Sequence, residues 1–454
     1  MRDQLIIAIV CAALPVILFR PFAGLMVYYW LAYMRPQNMA WGASRALPLS
    51  QWVAIAMVVG LVAAVGRERW LALRLQTVLL ILLGLWISLT VLTAVLPEMA
   101  QVVYGQYWKA ILVSVLATGL ASDRKRLRLL LLLVAFSIGF LGAKRGFAGL
   151  LHGGARYNDG PGGFMSDNNS FALALNMVLP LLVGFAMIEK QRWLRIAAAG
   201  TAALCLLCIL FTFSRGGFLT LLVVGGLLVW RAQRRLMVAG LLALGLTGFV
   251  LFSSDKLTDE YVERASSISD YQEDASARGR LNAWETSWRV FLDYPVTGVG
   301  PANLEAVFFR YAPDTDRFRV SHNAYLQLLA ECGLPALLLF LGAIGASLWR
   351  LQRLRTVTAL PWVEIQARML QISIVGYLVG AMFLNMAYQE LIYTIIALSV
   401  SLEVVAETSV AEAGLPASSP SSPPSRPSPP SDTPWWKRPP SRRLGPAQGF
   451  PGGA

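Results

Sequence analysis

Three short stretches of this chain set groups that handle phosphate and protons beside apolar runs. In Phe211-Thr-Phe-Ser-Arg-Gly-Gly-Phe218, Arg215 falls in a tight turn between two apolar helices. A charged group at membrane depth costs about 2.5 to 3.5 kcal/mol on insertion scales, so its presence there is a functional hypothesis by default. Gly216 and Gly217 would let a bulky anion approach the backbone, and the following helix would offer that anion its N-terminus. The competing reading is an arginine that snorkels to the interface, a role that needs neither the neighbouring Ser214 nor the two glycines.

The second stretch, Arg278-Gly-Arg280-Leu-Asn-Ala-Trp-Glu285, opens a helical pattern running to Phe291. An arginine at a helix start is disfavoured unless an anion sits there, and a guanidinium grips phosphate oxygens in pairs. Solvated loop arginines are common, however, and Arg278 could equally be the working member of the pair. The third stretch is Ser321-His-Asn-Ala-Tyr-Leu-Gln327, where a long connector re-enters the membrane and Ser321 would cap the helix that begins there. An imidazole at a helix N-terminus and near basic groups resists protonation, which suits His322 to general-base work. The competing reading is a cap-region histidine bonded to nearby backbone, with Asn323 as a supporting group. His152, the other of the two histidines, lies in a Gly-rich stretch and reads as structural.

Other chemistries fit less well. Cys205 and Cys208 spell C-x-x-C, but without a second Cys or His pair they read as small buried hydrophobes on an apolar helix. Asp314-Thr-Asp316 spells the D-x-D that chelates a metal-bound nucleotide sugar, a tripeptide common by chance and placed on the wrong side of the membrane for such a donor. No G-x-S-x-G elbow and no zinc signature occurs, and neither metal nor cofactor is expected. Asp167 to Asn169, at the entrance to a span, would cap a helix or bind sugar hydroxyls, with capping preferred.

The elements that must position these groups are membrane helices. Of 454 residues, 56% are hydrophobic and 14% charged, a composition unsuited to a water-soluble surface, and the net charge is +13. Clear apolar runs are Leu75 to Leu96, Phe171 to Met187, Ile196 to Phe213, Phe218 to Trp230, Leu236 to Phe252, Ala336 to Trp349 and Leu370 to Tyr388. Interrupted runs are Leu5 to Met34, Trp52 to Val65, Ala110 to Leu120, Leu127 to Gly142 and Ile392 to Val405. The expected fold is therefore an all-α polytopic membrane protein of about 12 transmembrane helices, or thirteen if Leu5 to Met34 crosses twice rather than once with a kink.

Five connectors rich in Arg and Lys alternate with cation-poor ones, which places the basic set and both termini in the cytoplasm for an even count of spans. On the outer, periplasmic side this leaves Ala143 to Asn169 and a large loop, 253–321, containing short helices. A transmembrane domain, 1–405, would then be followed by a disordered Pro/Ser-rich cytoplasmic tail, 406–454, holding 12 of the 24 prolines. No cleavable leader is expected and nucleic acid is an improbable partner.

Taken together, Phe213-Ser-Arg-Gly-Gly217, Gly279-Arg-Leu-Asn-Ala-Trp284, Tyr294-Pro-Val-Thr-Gly-Val-Gly300 and Ser321 to Gln327 followed by Gly333-Leu-Pro335 resemble the O-antigen ligase and polymerase superfamily of bacterial inner-membrane glycosyltransferases. The resemblance covers nearly all of the chain before the tail. Arg35-Pro-Gln-Asn-Met-Ala-Trp-Gly42 and Gly163 to Ala172 are similar to the exosortase-A-associated branch of O-glycosylation ligases. The resemblance implies transfer of a glycan from undecaprenyl diphosphate to an acceptor hydroxyl on a lipid or protein, at the periplasmic face and without metal. Arg215 and Arg280 would hold the diphosphate and His322 would act on the acceptor. An acidic residue in the last spans belongs to the pattern, and Glu390 is the candidate here.

That chemistry is economical. A glycosyl diphosphate carries a good leaving group, so the protein need only neutralise developing phosphate charge and remove one proton, and direct displacement inverts the anomeric centre. A polymerase, whose acceptor is another lipid-linked glycan, shares the same motifs. A lipid-linked sugar flippase or transporter would need the arginines and no base.

Overall fold

The computed structural model describes residues 2–40, 42–152, 157–231, 240, 275–314, 318 and 320–412. The expected span Leu236 to Phe252, the first part of the large loop and the tail beyond residue 412 lie outside the described residues. Helices dominate: α1 Arg2–Phe19, α2 Pro21–Tyr33, α3 Leu49–Ala63, α4 Leu75–Leu92, α5 Pro97–Leu120, α6 Arg124–Leu151 and α7 Asn168–Ile188. They continue with α8 Arg192–Phe211, α9 Arg215–Arg231, α10 Ala275–Asp293, α11 Leu304–Tyr311, α12 Ala324–Val357, α13 Pro361–Gly380 and α14 Glu390–Glu412. Strands β1 (Asp159–Gly162) and β2 (Met165–Asp167) pair antiparallel, Gly162 opposite Met165, in a hairpin that leads into α7.

Eight of these helices are long and apolar enough to cross a membrane, and the chain is an all-α polytopic membrane protein. Of the apolar windows of α7 and α14, 89% is buried, against 17% for α1, so α7 and α14 form the centre and α1 lies at the rim. α14 continues to Glu412, past the Val405 where its apolar run ends in the sequence.

Leu5 to Met34, expected as one kinked passage, is two helices running in opposite directions. Asp3 at the start of α1 accepts from the Ser44 amide at 2.8 Å, which sets it beside the segment that follows α2. Gly24 of α2 packs on Ile17 of α1 and Met57 of α3. The break falls at Arg20-Pro21, where Arg20 leaves the helical region (φ −137°, ψ 82°) and Pro21, lacking an amide hydrogen, starts the new helix at no cost in bonds.

Four of the five basic connectors gather at one end of the bundle, the one holding Arg234 and Arg235 lying outside the described residues. Arg126 pairs with Glu68 at 2.6 Å, Arg128 with Glu189 at 2.8 Å and Arg350 with Glu403 at 3.1 Å. Arg74 also pairs with Glu407, and the Arg124 guanidinium lies over the Trp362 ring. Each is a contact between connectors or helix ends distant in sequence, so these four connectors share one end of the bundle.

α12 is two helical pieces joined at Gly333, whose backbone (φ 76°, ψ 178°) is open to glycine and costly for any other residue. A break inside a buried helix strands carbonyls that must find donors. Here the Tyr294 to Gly300 stretch supplies them: Val299 N donates to Ala330 O at 3.0 Å and Gly300 N to Glu331 O at 2.8 Å. Trp86 Nε1 donates to Cys332 O at 3.0 Å, and Leu334 N returns a bond to Pro295 O at 2.9 Å. Two motifs separated by more than thirty residues are therefore the two halves of one joint.

Candidate functional site

The end of the bundle opposite the basic connectors is where the singled-out residues lie. α8 stops at Phe211 and α9 starts at Arg215, so three residues reverse the chain. Phe213 makes the reversal in the left-handed region (φ 52°), a conformation that costs a non-glycine residue about 1 to 3 kcal/mol and that the flanking helices must hold in place. Ser214, buried, then caps α9: its Oγ accepts from Gly217 N at 3.0 Å. Arg215 thus sits at the first position of the helix, half-buried, as the sequence led one to expect.

The two glycines have a different purpose from the one expected of them. A Cβ on Gly216 would stand 3.1 Å from Phe383 Cβ, and one on Gly217 would stand 2.7 Å from Ala172 Cβ. The space beside them is taken by protein, so they serve the close approach of α9 to α7 and to residue 383 rather than the approach of an anion. Asn176 Nδ2 reinforces that approach by donating to Gly217 O at 3.1 Å.

His322 also adopts a left-handed backbone (φ 46°). The cap of α12 is Asn323, whose Oδ1 accepts from Tyr325 N at 3.0 Å and Leu326 N at 3.1 Å. The expected cap, Ser321, sits two positions too early. It is fully buried, and its Oγ donates to Asn385 Oδ1 at 2.6 Å. His322 is therefore held in the sharp turn just ahead of the helix, between a buried serine and a capping asparagine.

Arg280 does not open its helix. α10 begins at Ala275, which puts Arg280 beyond the first turn, where the unpaired amides that would disfavour a cation have already been passed. Its position is instead fixed by a neighbour one turn on: Trp284 Nε1 donates to Ser321 O at 2.7 Å. Asn282 clasps Asp314, donating to its carbonyl at 2.9 Å and accepting from its amide at 3.1 Å, so the first Asp of the D-x-D tripeptide is bonded through its backbone to α10. The side chain of Arg278 lies outside the described residues.

The Arg215 and His322 stretches meet on one segment, residues 378–389, and the Arg280 stretch joins them through Ser321. Gly216 packs on Phe383, Ser321 bonds Asn385, and Ala387 N donates to Gln327 Oε1 at 3.3 Å. Tyr325 Oη donates to Leu378 O at 2.7 Å. The backbones bearing Arg215, Arg280 and His322 are thus tied together through Phe383, Asn385, Ser321 and Trp284. Trp284 stands inside a motif legible in the sequence; nothing there distinguished Phe383.

Glu390 is the first residue of α14, where a carboxylate complements the helix dipole. The cations in whose field it lies are Arg35 and Lys109. Asp167 caps α7, accepting from Asn169 N at 2.9 Å and Ser170 N at 3.1 Å, and Asn168 Nδ2 ties this corner to the α8–α9 turn by donating to Thr212 O at 2.8 Å. His152 closes α6 with its Nδ1 2.7 Å from Ala148 O, in keeping with a structural role. Cys205 and Cys208 are buried between helices, Cys205 Sγ reaching Gly139 O at 3.3 Å.

Residues 200–341 match a family model described as O-Antigen ligase. The match takes in Arg215, Arg280 and His322 and supports an O-antigen ligase or polymerase-like function in general, with lipid-linked glycan and acceptor as the general partners. Residues 1–195 match the model of a family of unknown function (DUF5935), which takes in Arg35 but stops short of the α8–α9 turn. Glu390 lies beyond both matches. No curated protein matches the chain.

Proposed function

We propose that this protein is a glycosyltransferase of the O-antigen ligase type, moving a glycan from undecaprenyl diphosphate to an acceptor hydroxyl at the periplasmic face of the inner membrane. The observation that carries the reading is that the Arg215 and His322 stretches both pack on residues 378–389 while the Arg280 stretch is bonded to Ser321 through Trp284, at the end of the bundle away from the basic connectors. By the rule that basic connectors stay in the cytoplasm, that end faces the periplasm.

In this reading Arg215 and Arg280 neutralise the charge that develops on the departing diphosphate, and His322 takes the proton of the attacking hydroxyl. Arginine suits the first task because its planar fork meets two oxygens at once. No metal is required, since the two guanidiniums supply the countercharge, and direct attack inverts the anomeric centre. Ser214 and Asn323 act through the caps they form, each setting the backbone from which a working side chain departs. Glu390 would act at a distance from the diphosphate, through the charge it presents to Arg35.

The deciding assay gives purified protein an undecaprenyl-diphosphate-linked glycan with a lipid, peptide or glycan acceptor and follows products by mass. Release of undecaprenyl diphosphate only when a lipid or peptide acceptor is present supports a ligase. Chain lengthening on the lipid carrier would identify a polymerase instead, and translocation without release would replace both with a transporter.

A further inference from the structure

We propose that the cavity between α1, α6 and β1 is a binding pocket for a phosphate-bearing ligand, gripped by Arg2, Arg35, Arg45, Lys144 and Arg145, residues other than those assigned to transfer. The cavity measures about 590 Å3. That lies within the ~300–1,000 Å3 of pockets that take small molecules, so it has room for a phosphate together with the group that carries it. Five of its lining residues are cations drawn from three separate parts of the chain: the start of α1, the segment after α2, and the last third of α6.

The carboxylate beside Arg2 does not pair with it. Asp3, next to Arg2, turns instead to the Ser44 amide. Among the described residues none of Arg2, Arg35, Lys144 and Arg145 forms an ion pair, although Arg35 lies in the field of Glu390. Like charges crowded without counterions repel, and an anion between them relieves the repulsion.

The scaffold also aims them. Arg35 sits on a left-handed backbone (φ 50°), and its guanidinium lies against Gly163, where any Cβ would collide with it. Its Nε is buried with no hydrogen-bond partner, and burial holds the group below its ordinary pKa. Arg145 donates to Asp159 O and stacks over Tyr157 and Phe171 at 5.4 and 5.3 Å, which fixes its plane while leaving other donors unspent. Arg45 Nη2 donates to Asn38 O at 3.1 Å, and Asn38 Nδ2 donates in turn to Pro161 O at 3.2 Å, joining the floor of the pocket to its β1 wall. An arginine on a strained backbone and several guanidiniums lining one cavity are what a paired grip on phosphate oxygens needs.

The phosphate could arrive on a phospholipid headgroup or on a sugar, and one experiment separates the two. Full-length protein is placed in phosphatidylcholine nanodiscs and titrated with glucose 1-phosphate, and in parallel is examined in phosphatidylglycerol nanodiscs by native mass spectrometry for retained lipid. The variants are Arg2→Glu and Lys144→Glu, whose side chains are exposed and make no bond, so the fold is not at stake; thermal unfolding checks this. Saturable glucose 1-phosphate binding that both variants weaken about tenfold or more supports the pocket with a sugar phosphate as its ligand. Retained phosphatidylglycerol that both variants lose supports it with a headgroup. Equal binding by wild type and variants, or binding of neither ligand, overturns the proposal. The readout is binding rather than turnover, so the result stands apart from whether transfer occurs.

Discussion

Ser321 Oγ donates to Asn385 Oδ1 across 2.6 Å, while the carbonyl of the same serine accepts from Trp284 Nε1 at 2.7 Å. One buried residue thereby joins the turn that bears His322 to α10 on one side and to the segment ahead of α14 on the other. Because His322 follows directly in a left-handed conformation, its direction is set by these two bonds more than by local preference.

Asn385→Ala removes the acceptor but leaves Ser321 Oγ bonded to Asn323 O at 3.1 Å, so the cost in stability is small. Under the transfer reading the rate suffers more, because misplacing a reacting group by about 1 Å can cost about 100-fold. The expected result is a fall in kcat of about tenfold or more with KM for the lipid-linked donor nearly unchanged. A rise in KM alone would assign Asn385 to donor binding rather than to positioning.

His322→Ala tests the base directly. General-base catalysis contributes about 10²- to 10⁴-fold, so transfer is expected to fall by that range while the protein still binds donor. Single-turnover product formation, followed by mass, reads this. Retention of wild-type turnover would remove His322 from the mechanism and leave the arginines as a binding site only.

Arg215→Lys keeps the charge and loses the fork. An ammonium offers a point charge in place of two parallel donors, and the pairing to diphosphate weakens. The expected loss in kcat/KM is about tenfold or more, with unchanged thermal unfolding because Ser214 still caps α9 through Gly217. Ser214→Ala provides the contrast. It removes the cap and costs about 0.5 to 2 kcal/mol of stability, which a lower unfolding midpoint reports.

What the sequence made legible was mostly local. The Ser214-Arg215 helix start and the Asp167 cap follow from residue types that satisfy orphan amides, and both occur where their spacing put them. The alternation of basic connectors reads off helix direction because membrane insertion sorts charge one loop at a time. Long-range partners are a different matter. Gly216 and Gly217 looked like an anion approach because their neighbours Phe383 and Ala172 are far away in sequence. Ser321 looked like the cap of α12 because Ser is a common cap, whereas Asn323 reaches two amides from a better register. Arg280 looked terminal because residues 275–279, Ala-Ser-Ala-Arg-Gly, carry no apolar periodicity even though they are helical.

The joint between Tyr294–Gly300 and α12 yields the sharpest prediction for stability. Gly333 has φ 76°, and a Cβ there would drive into the carbonyls of Val296 and Pro295, the latter accepting the Leu334 amide. Gly333→Ala therefore combines left-handed strain, about 1 to 3 kcal/mol, with displacement of the stretch whose amides satisfy Ala330 and Glu331. Each carbonyl so released inside an apolar bundle adds about 1 to 3 kcal/mol. The expected outcome is a loss of about 3 kcal/mol or more, seen as a large drop in the temperature at which the detergent-solubilised protein loses its monodisperse elution peak. Gly226→Ala is the matched control: that glycine lies on an exposed face of α9 with open space around its Cβ position, and alanine there gains helix propensity. If the two substitutions shift the midpoint alike, the docking of Tyr294–Gly300 into the broken helix is not what holds this end of the bundle together.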